Sequence, residues 1–584
     1  MHYLRHMRFL PAAVALLLAG VVDARAQVEG GVFIGGGTAT VRPGVPLRDP
    51  NEKVPTGTSV ISGRVTAAAS GSPLRQAQVI VMALDQPQPI RRSTTSDAEG
   101  RYRFAELPAG RYLVFVNRPG YVSLQYGQTR PLDGGTPIVL ADAQAVNAIN
   151  VALQRGSVIA GRVTDEFGEP IARATVQAMR FNYGVDGQRR PQASELATTD
   201  DLGQFRLFGL APGEYIVSAS NRMGQIGGVG AVDTGETYLT SYFPGTPNIN
   251  DAQTVPLGIG QETDVQFALS TGRLSRVAGT AVDSTGRPVA NGMATLQSPS
   301  GGFNGNIGGG LTTPDGSFSL SNVPPGDYVL TVQPMNRPGV DAPLSESGVL
   351  AVTVGGADLL NLRVTTSPGA TVTGRVVFEG AATHDNGQGD RVRVMPQMAG
   401  PALPFLSAFG VETGVVTDDG SFELKGVRGQ VLFRVAAGQT WTLKSVSHQG
   451  IDITDTVTDM TSPDGLQGLT IVLTDKVTDV SGQVLDPRGR PVKDYLVVVQ
   501  PVEPKPSAAI TRYLRTLRPD NDGRFRARGL PPGEYYATAI DGLEQGRQFV
   551  PDVQARLRDT ARRFTVREGE TVTLDLRLSE GFER

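Results

Sequence analysis

Thr199-Asp200-Asp201-Leu202-Gly203-Gln204-Phe205, followed by Gly209-Leu210-Ala211-Pro212-Gly213-Glu214-Tyr215, is the stretch that decides how this chain reads. Asp with Gly makes a tight turn, because glycine accepts positive φ and aspartate bonds its own backbone. Alternation follows, with Phe205 and Leu207 on one face and Gln204 and Arg206 on the other, the period of a half-buried strand. Pro212-Gly213 makes a second turn, and Tyr215 and Val217 open another strand. The pattern predicts a β-hairpin with an aromatic two residues beyond each turn glycine.

Versions of this stretch occur five times: DAEGRYRFAELPAGRY, DDLGQFRLFGLAPGEY, PDGSFSLSNVPPGDY, DDGSFELKGVRGQV and NDGRFRARGLPPGEY. Their first glycines, Gly100, Gly203, Gly316, Gly420 and Gly523, lie about 100 to 115 residues apart. That is the length of a domain with its own core, well beyond the roughly 20–50 residues of a solenoid repeat. Tyr102, Phe205, Phe318, Phe422 and Phe525 follow the first turn; Tyr112, Tyr215, Tyr328 and Tyr535 follow the second, where the fourth copy has Val431. Rings at fixed spacing read as core filling, with a tyrosine hydroxyl tied to nearby backbone at a sandwich corner.

Upstream of each copy stands a strand with glycine at its centre: Ile61-Gly63-Val65, Ile159-Gly161-Val163, Val277-Gly279-Ala281, Val372-Gly374-Val376 and Val480-Gly482-Val484. Glycine inside a strand marks a bulge or a close backbone approach. In three copies a turn follows, DEFGEP, DSTGRP and DPRGRP, and then a second strand such as Ala174-Val176-Ala178. A closing strand ends each copy: Ile149-Val151-Leu153, Val265-Phe267-Leu269, Leu362-Val364, Leu469-Ile471-Leu473 and Val572-Leu574-Leu576. Each closing strand runs almost directly into the next opening strand. The expectation is an all-β chain of five tandem immunoglobulin-like β-sandwiches in an elongated array. Their bounds are 58–155, 156–272, 273–368, 369–477 (the most divergent) and 478–584.

The 584 residues suit several domains. The 72 glycines and 40 prolines suit a turn-rich β chain. A net charge of −3 argues against nucleic acid as partner. There is no cysteine, which excludes disulfides and thiolate metal ligands and leaves each repeat to core burial. Residues 1–26 read as a signal peptide: Arg5 and Arg8, a short apolar run from Phe9 to Val22, and the small-x-small site Ala24-Arg25-Ala26. That run is shorter than the about 20 residues a membrane span needs. Export to the periplasm or outside, with no membrane span after cleavage, is expected. Residues 27–57 read as a flexible Gly- and Pro-rich lead-in.

The apolar-Gly-x-Val opening, the D-x-x-G-x-P turn and the DG-x-F…PG-x-Y unit resemble the carboxypeptidase regulatory-like domain, a transthyretin-like or prealbumin-type sandwich also similar to the carbohydrate-binding-like fold. The resemblance covers nearly all of 58–578. It implies exported bacterial proteins and no peptidase.

Catalytic chemistry finds no footing. A zinc peptidase needs a pattern such as H-E-x-x-H. Outside the leader only His384 and His448 occur, and neither fits. No enzyme, cofactor or metal is expected. Asp385-Asn386-Gly387-Gln388-Gly389-Asp390 and Asp520-Asn521-Asp522-Gly523 offer oxygen ligands for calcium but read first as turns. Arg524, Arg526 and Arg528 share a strand face, with Arg512, Arg515 and Arg518 before them; Asp520 and Asp522 nearby favour a partly paired, solvated face. The fifth repeat holds one convincing helix, roughly Asp552 to Arg563, with Val553, Leu557 and Ala561 on one face.

Sugar binding is the specific function the residues suggest, since exposed rings beside polar groups stack on sugar CH faces. Candidates are Tyr238, Tyr242 and Phe243 in the second repeat's insert, Phe181 and Tyr183 beside them, and Trp441 in the fourth. The expectation is a non-catalytic exported binding protein of the cell envelope, with carbohydrate the leading ligand class and polysaccharide or an envelope protein as partner. A structural or protein-interaction spacer, or an accessory to a separate enzyme, is the alternative.

Overall fold

The computed structural model describes residues 56–84, 91–128, 134–221, 236–298, 306–334, 346–382, 392–399, 414–438, 440–462, 464–506, 510–520 and 522–579. The expected signal peptide and nearly all of the expected lead-in fall outside them, as does the stretch Asp385–Asp390 considered for calcium. Strands dominate; among the described residues the α-helices are Ile510–Tyr513 and Pro551–Asp559.

The second repeat shows the plan. Its opening strand, Ser157–Thr164, is the middle of a three-stranded sheet, antiparallel to Gln204–Leu210 and parallel to the closing strand Glu262–Ala268. Facing it is a sheet ordered Arg189–Thr198, Thr175–Tyr183, Gly213–Ser220, Ser241–Tyr242, with Val255–Leu257 also on Gly213–Ser220. Phe205, Leu207, Tyr215, Val217, Val265 and Phe267 meet between the sheets in one buried cluster. Four other clusters of this kind occur, drawn from residues 61–153, 277–364, 370–473 and 480–576.

The expected hairpin is not one. Gln204–Leu210 and Gly213–Ser220 belong to opposite sheets, as do their counterparts in the first, third and fourth copies; in the fifth, Arg524–Arg528 and Gly533–Ile540 do not pair with each other, although Thr571–Ser579 bonds both halves into one sheet. Proline at 212 removes a ladder donor, and Gly213 at φ 144° sends the chain across the core. The tyrosine beyond fastens this corner. Tyr215 donates its hydroxyl to the Ala211 carbonyl at 2.7 Å; Tyr112, Tyr328 and Tyr535 do likewise to Pro108, Pro324 and Pro531 at 2.8, 3.0 and 2.6 Å. In the fourth copy Val431 fills the place with apolar bulk alone.

Each opening-strand glycine faces the first-turn ring directly across the ladder: Gly63 and Tyr102, Gly161 and Phe205, Gly279 and Phe318, Gly374 and Phe422, Gly482 and Phe525. On the other side passes the closing strand. A Cβ on Gly161 would lie 1.8 Å from the Val265 carbonyl oxygen and 3.0 Å from the Phe205 ring. The expected close approach is therefore real, and it is steric.

Two repeats modify the plan. In the fourth, Thr442–His448 pairs with the closing strand Leu466–Thr474, extending the opening strand's sheet. In the fifth, Val553 and Leu557 of helix Pro551–Asp559 cover Leu496, Val498, Ile540 and Leu543 on the outer sheet face. That helix stops short of the expected Arg563. Arg562–Val566 instead pairs with Gly533–Ile540 and inserts Phe564 into the core, stacked on Tyr535. Tertiary pairing overrides a locally helical pattern here.

Repeats are joined closely: four residues separate Thr365 from Ala370 and Thr474 from Asp479. At the fourth–fifth boundary Arg512 bonds the Leu443 carbonyl at 2.8 Å and pairs with Asp455 at 3.3 Å, while Lys444 spans Glu379 and Glu568. Contacts are not confined to sequence neighbours, because the second repeat also touches the fifth.

Gly161→Ala is expected to destabilise the second repeat by about 3 kcal/mol through overpacking. Gly168→Ala, at φ 87° with open space around it, is expected to cost about 1 kcal/mol of backbone strain. Chemical denaturation of the two variants compares them. Hydroxyl and amide donors hold the turn carboxylates Asp283, Asp315 and Asp419 down at about 2, led by Thr285, Ser317 and Thr417 in turn. A carboxyl depressed by folding stabilises above its unfolded pKa and loses that contribution on protonation. The turns should therefore weaken as pH falls from 4 toward 2, read as falling denaturation midpoints.

Candidate functional site

The turn Asp165-Glu166-Phe167-Gly168-Glu169-Pro170 carries the most exposed large apolar side chain among the described residues of the second repeat. The Asp165 carboxylate accepts the Phe167 and Glu169 amides at 2.9 and 2.8 Å, and Gly168 takes φ 87°. Asp283 and Asp486 hold the same two amides in the third and fifth repeats, where Thr285 and Arg488 stand in place of Phe167. The turn thus needs its Asp and Gly and asks nothing of the residue between. In the second repeat that residue is a phenylalanine 84% exposed.

Its surroundings are polar and acidic. Tyr238, on strand Glu236–Tyr238 beside Thr271–Arg273, packs against the second core with Asp165 and Glu166 near its hydroxyl. Desolvation, then the charges of Asp165 and Glu166, raise the Tyr238 pKa, so the phenol keeps its proton. Glu166 accepts the Thr271 hydroxyl at 3.5 Å. The Asp200-Gly203 turn abuts this one: a Cβ on Gly203 would lie 3.2 Å from Pro170 Cβ. It carries a second exposed apolar side chain, Leu202, with Asp201 beside it. An upright ring among carboxylates and a phenol can stack on a CH face and accept hydroxyl hydrogen bonds.

The structure divides the six ring candidates. Phe243 is half-buried, edge-on to Phe267 at 6.2 Å, and packs on the same core as Tyr238. Tyr242 pairs opposite Ser218, and Ser218 opposite Gln177. Phe181 and Tyr183 lie four and six residues farther along that strand, about 13 and 20 Å away at roughly 3.3 Å per residue. The two sets therefore form no shared platform. Phe181 is covered by the Arg189 guanidinium, 4.0 Å from its centroid. Trp441 is a correction: only 7% exposed, it sits edge-on to Phe378 at 5.0 Å in the fourth core and has no face to offer.

Other candidates resolve as structure. Asp520 accepts the Asp522 and Arg524 amides as a turn residue, with Asn521 outside the described residues. Arg526 pairs with Asp479, and Arg518 with Asp494 at 3.7 Å. Among the described residues no group of three or more His, Asp or Glu is set to hold a metal. None of their helices is long and apolar enough to cross a membrane. Sequence reasoning missed Phe167; lining up DEFGEP, DSTGRP and DPRGRP would have exposed the odd ring.

The family model described as "Carboxypeptidase regulatory-like domain" matches residues 60–154, 158–270 and 479–579, just over half the chain. No curated protein matches. Solved structures with similarity include the Bacillus anthracis TIE protein (15% identity, covering 53% of this chain and 51% of that one, TM-score 0.15). A Streptococcal ancillary pilin gives 14% identity, 53% and 99% coverage and TM-score 0.19. The shaft pilin SpaA from Lactobacillus rhamnosus GG gives 14%, 37% and 98%, and 0.18. This chain thus spans about half the length of the TIE protein.

Trp441 is the chain's one tryptophan, so its emission reports the fourth core alone. Blue-shifted emission, weak acrylamide quenching and no change on adding polysaccharide are expected. Ready quenching would return Trp441 to the surface.

Proposed function

We infer the function from one premise: the chain belongs to the carboxypeptidase regulatory-like domain family. Our reading is a non-catalytic, exported, multi-domain binding protein of the cell envelope, its five sandwiches bounded at 58–155, 156–272, 273–368, 369–477 and 478–584. The second repeat takes a carbohydrate ring on Phe167. One observation carries this: an 84% exposed phenylalanine on a turn whose backbone does not require it, beside the half-buried Tyr238 and the exposed Glu166. Stacking supplies the contact area, and Glu166 and Glu169 supply acceptors for sugar hydroxyls. A spacer role is favoured by a different observation, the Arg512–Asp455 and Lys444–Glu568 ties that fix the fourth repeat to the fifth.

Affinity electrophoresis through neutral and acidic polysaccharides tests the binding reading. Phe167→Ala is expected to weaken retardation about tenfold, the scale of one stacking contact near 1.4 kcal/mol. Phe181→Ala should leave it unchanged. Retardation indifferent to Phe167→Ala and Glu166→Gln removes this site. No retardation on any glycan leaves the spacer.

A further inference from the structure

Two of the inserts that set single repeats apart meet each other. One is the long hairpin of the second repeat, Thr175–Tyr183 with Arg189–Thr198, which carries Phe181 and Tyr183. The other is the fifth repeat's segment from Glu544 to Pro551, leading into its helix. Val176 and Ala178 at the base of the hairpin belong to the second core, but its outer part, residues 180–192, and the 544–551 segment contribute nothing to the core cluster of their own sandwiches. A Cβ on Gly546 would lie 2.4 Å from the Tyr183 carbonyl oxygen and 3.2 Å from Tyr183 Cβ. A Cβ on Gly187 would lie 2.8 Å from the Phe549 carbonyl oxygen and 3.6 Å from Pro551 Cδ. Backbone thus approaches backbone at two points, each cleared by a glycine.

We propose that these inserts form an intramolecular clasp, in which the second repeat's hairpin binds the 544–551 segment of the fifth repeat of the same chain. Each half is held by bonds within its own repeat, which lowers the entropy cost of docking. On the hairpin side, Gly184 and Gly187 close the tip with amide bonds of 2.9 Å each to Gln188 and Gly184, and Arg190 holds Asp186 at 2.9 Å. On the other side, Gly546 at φ 94° starts the 3-10 turn Arg547–Phe549, and Pro551 begins a helix anchored by Val553 and Leu557.

A charge pair gives the clasp its register. Arg180 lies 5.4 Å over the Tyr215 ring and donates to the Pro212 carbonyl at 3.1 Å, so the corner aims its guanidinium. From there it reaches Glu544 at 3.8 Å, with side-chain exposures of 14% and 29%. Partial burial makes such a pair less screened than an open surface bridge. Tyr183, whose ring type suggested a sugar platform, is therefore part of an inter-repeat contact.

The absence of cysteine makes the test clean. Tyr183→Cys with Arg547→Cys leaves Gly546 in place and sets two thiols across the contact, since Arg547 is one Cα–Cα step of about 3.8 Å from Gly546 and a short bis-maleimide spans the gap. Treating the full chain with that reagent is expected to give a crosslinked monomer at a rate independent of protein concentration, at least tenfold above the dimer formed by either single variant. Crosslinks only between chains, or none, overturn the clasp. Should the double variant misfold, Glu544→Arg gives an independent answer by amide exchange. Exchange about tenfold faster at residues 184–188 supports the clasp, and unchanged exchange overturns it.

Discussion

The fold depends on a missing atom. In each repeat the opening strand runs between a ring-bearing strand and the closing strand, at a glycine where a Cβ would come within 1.7 to 2.1 Å of a carbonyl oxygen of the closing strand or, in the first repeat, of Ile149 just before it. With no side chain there, the closing strand lies parallel alongside and the aromatic ring settles over the glycine from across the ladder. A parallel neighbour cannot be reached by a tight turn. The chain must therefore leave the sheet and return, and its crossings through the second sheet make the sandwich. The tyrosine corner is one such crossing, fixed by a hydrogen bond from a buried ring to backbone four residues earlier.

Because glycine, ring and corner meet the needs of the core, the remaining loops are free to differ. The D-x-x-G-x-P turn shows this most plainly. Its aspartate and glycine do the same work in three repeats, while the residue between is Phe167, Thr285 or Arg488. Function can be placed at such positions without disturbing the fold. The same freedom let the second and fifth repeats grow the inserts that meet, and let the fourth move a strand onto the opening strand's sheet with Trp441 packed at its start.

Much of this was legible in the chain. Alternation located the strands, and glycine within a strand announced a close approach, because few other causes keep that residue there. The corner tyrosines were readable as core by their spacing. The helix beginning near Pro551 was visible, but its end was not: Ala561 to Arg563 continue an amphipathic pattern, yet Phe564 belongs to a strand whose partner lies some thirty residues earlier. Rings misled in the same way. Trp441 and Tyr183 have the chemistry of sugar platforms, and one is buried in a core while the other lines a contact with a distant repeat.

The sequence by itself determined what is local: the repeat, the turn chemistry, the period of each strand and which of its faces is apolar. It did so because turns and alternation depend on residues within a few positions of one another. Which strand each one bonds, that the presumed hairpin straddles two sheets, which rings reach water and that the second repeat touches the fifth were decided only by tertiary structure. Those outcomes depend on carbonyls and side chains brought together from far along the chain, and a one-dimensional pattern records that a face is buried without recording what buries it.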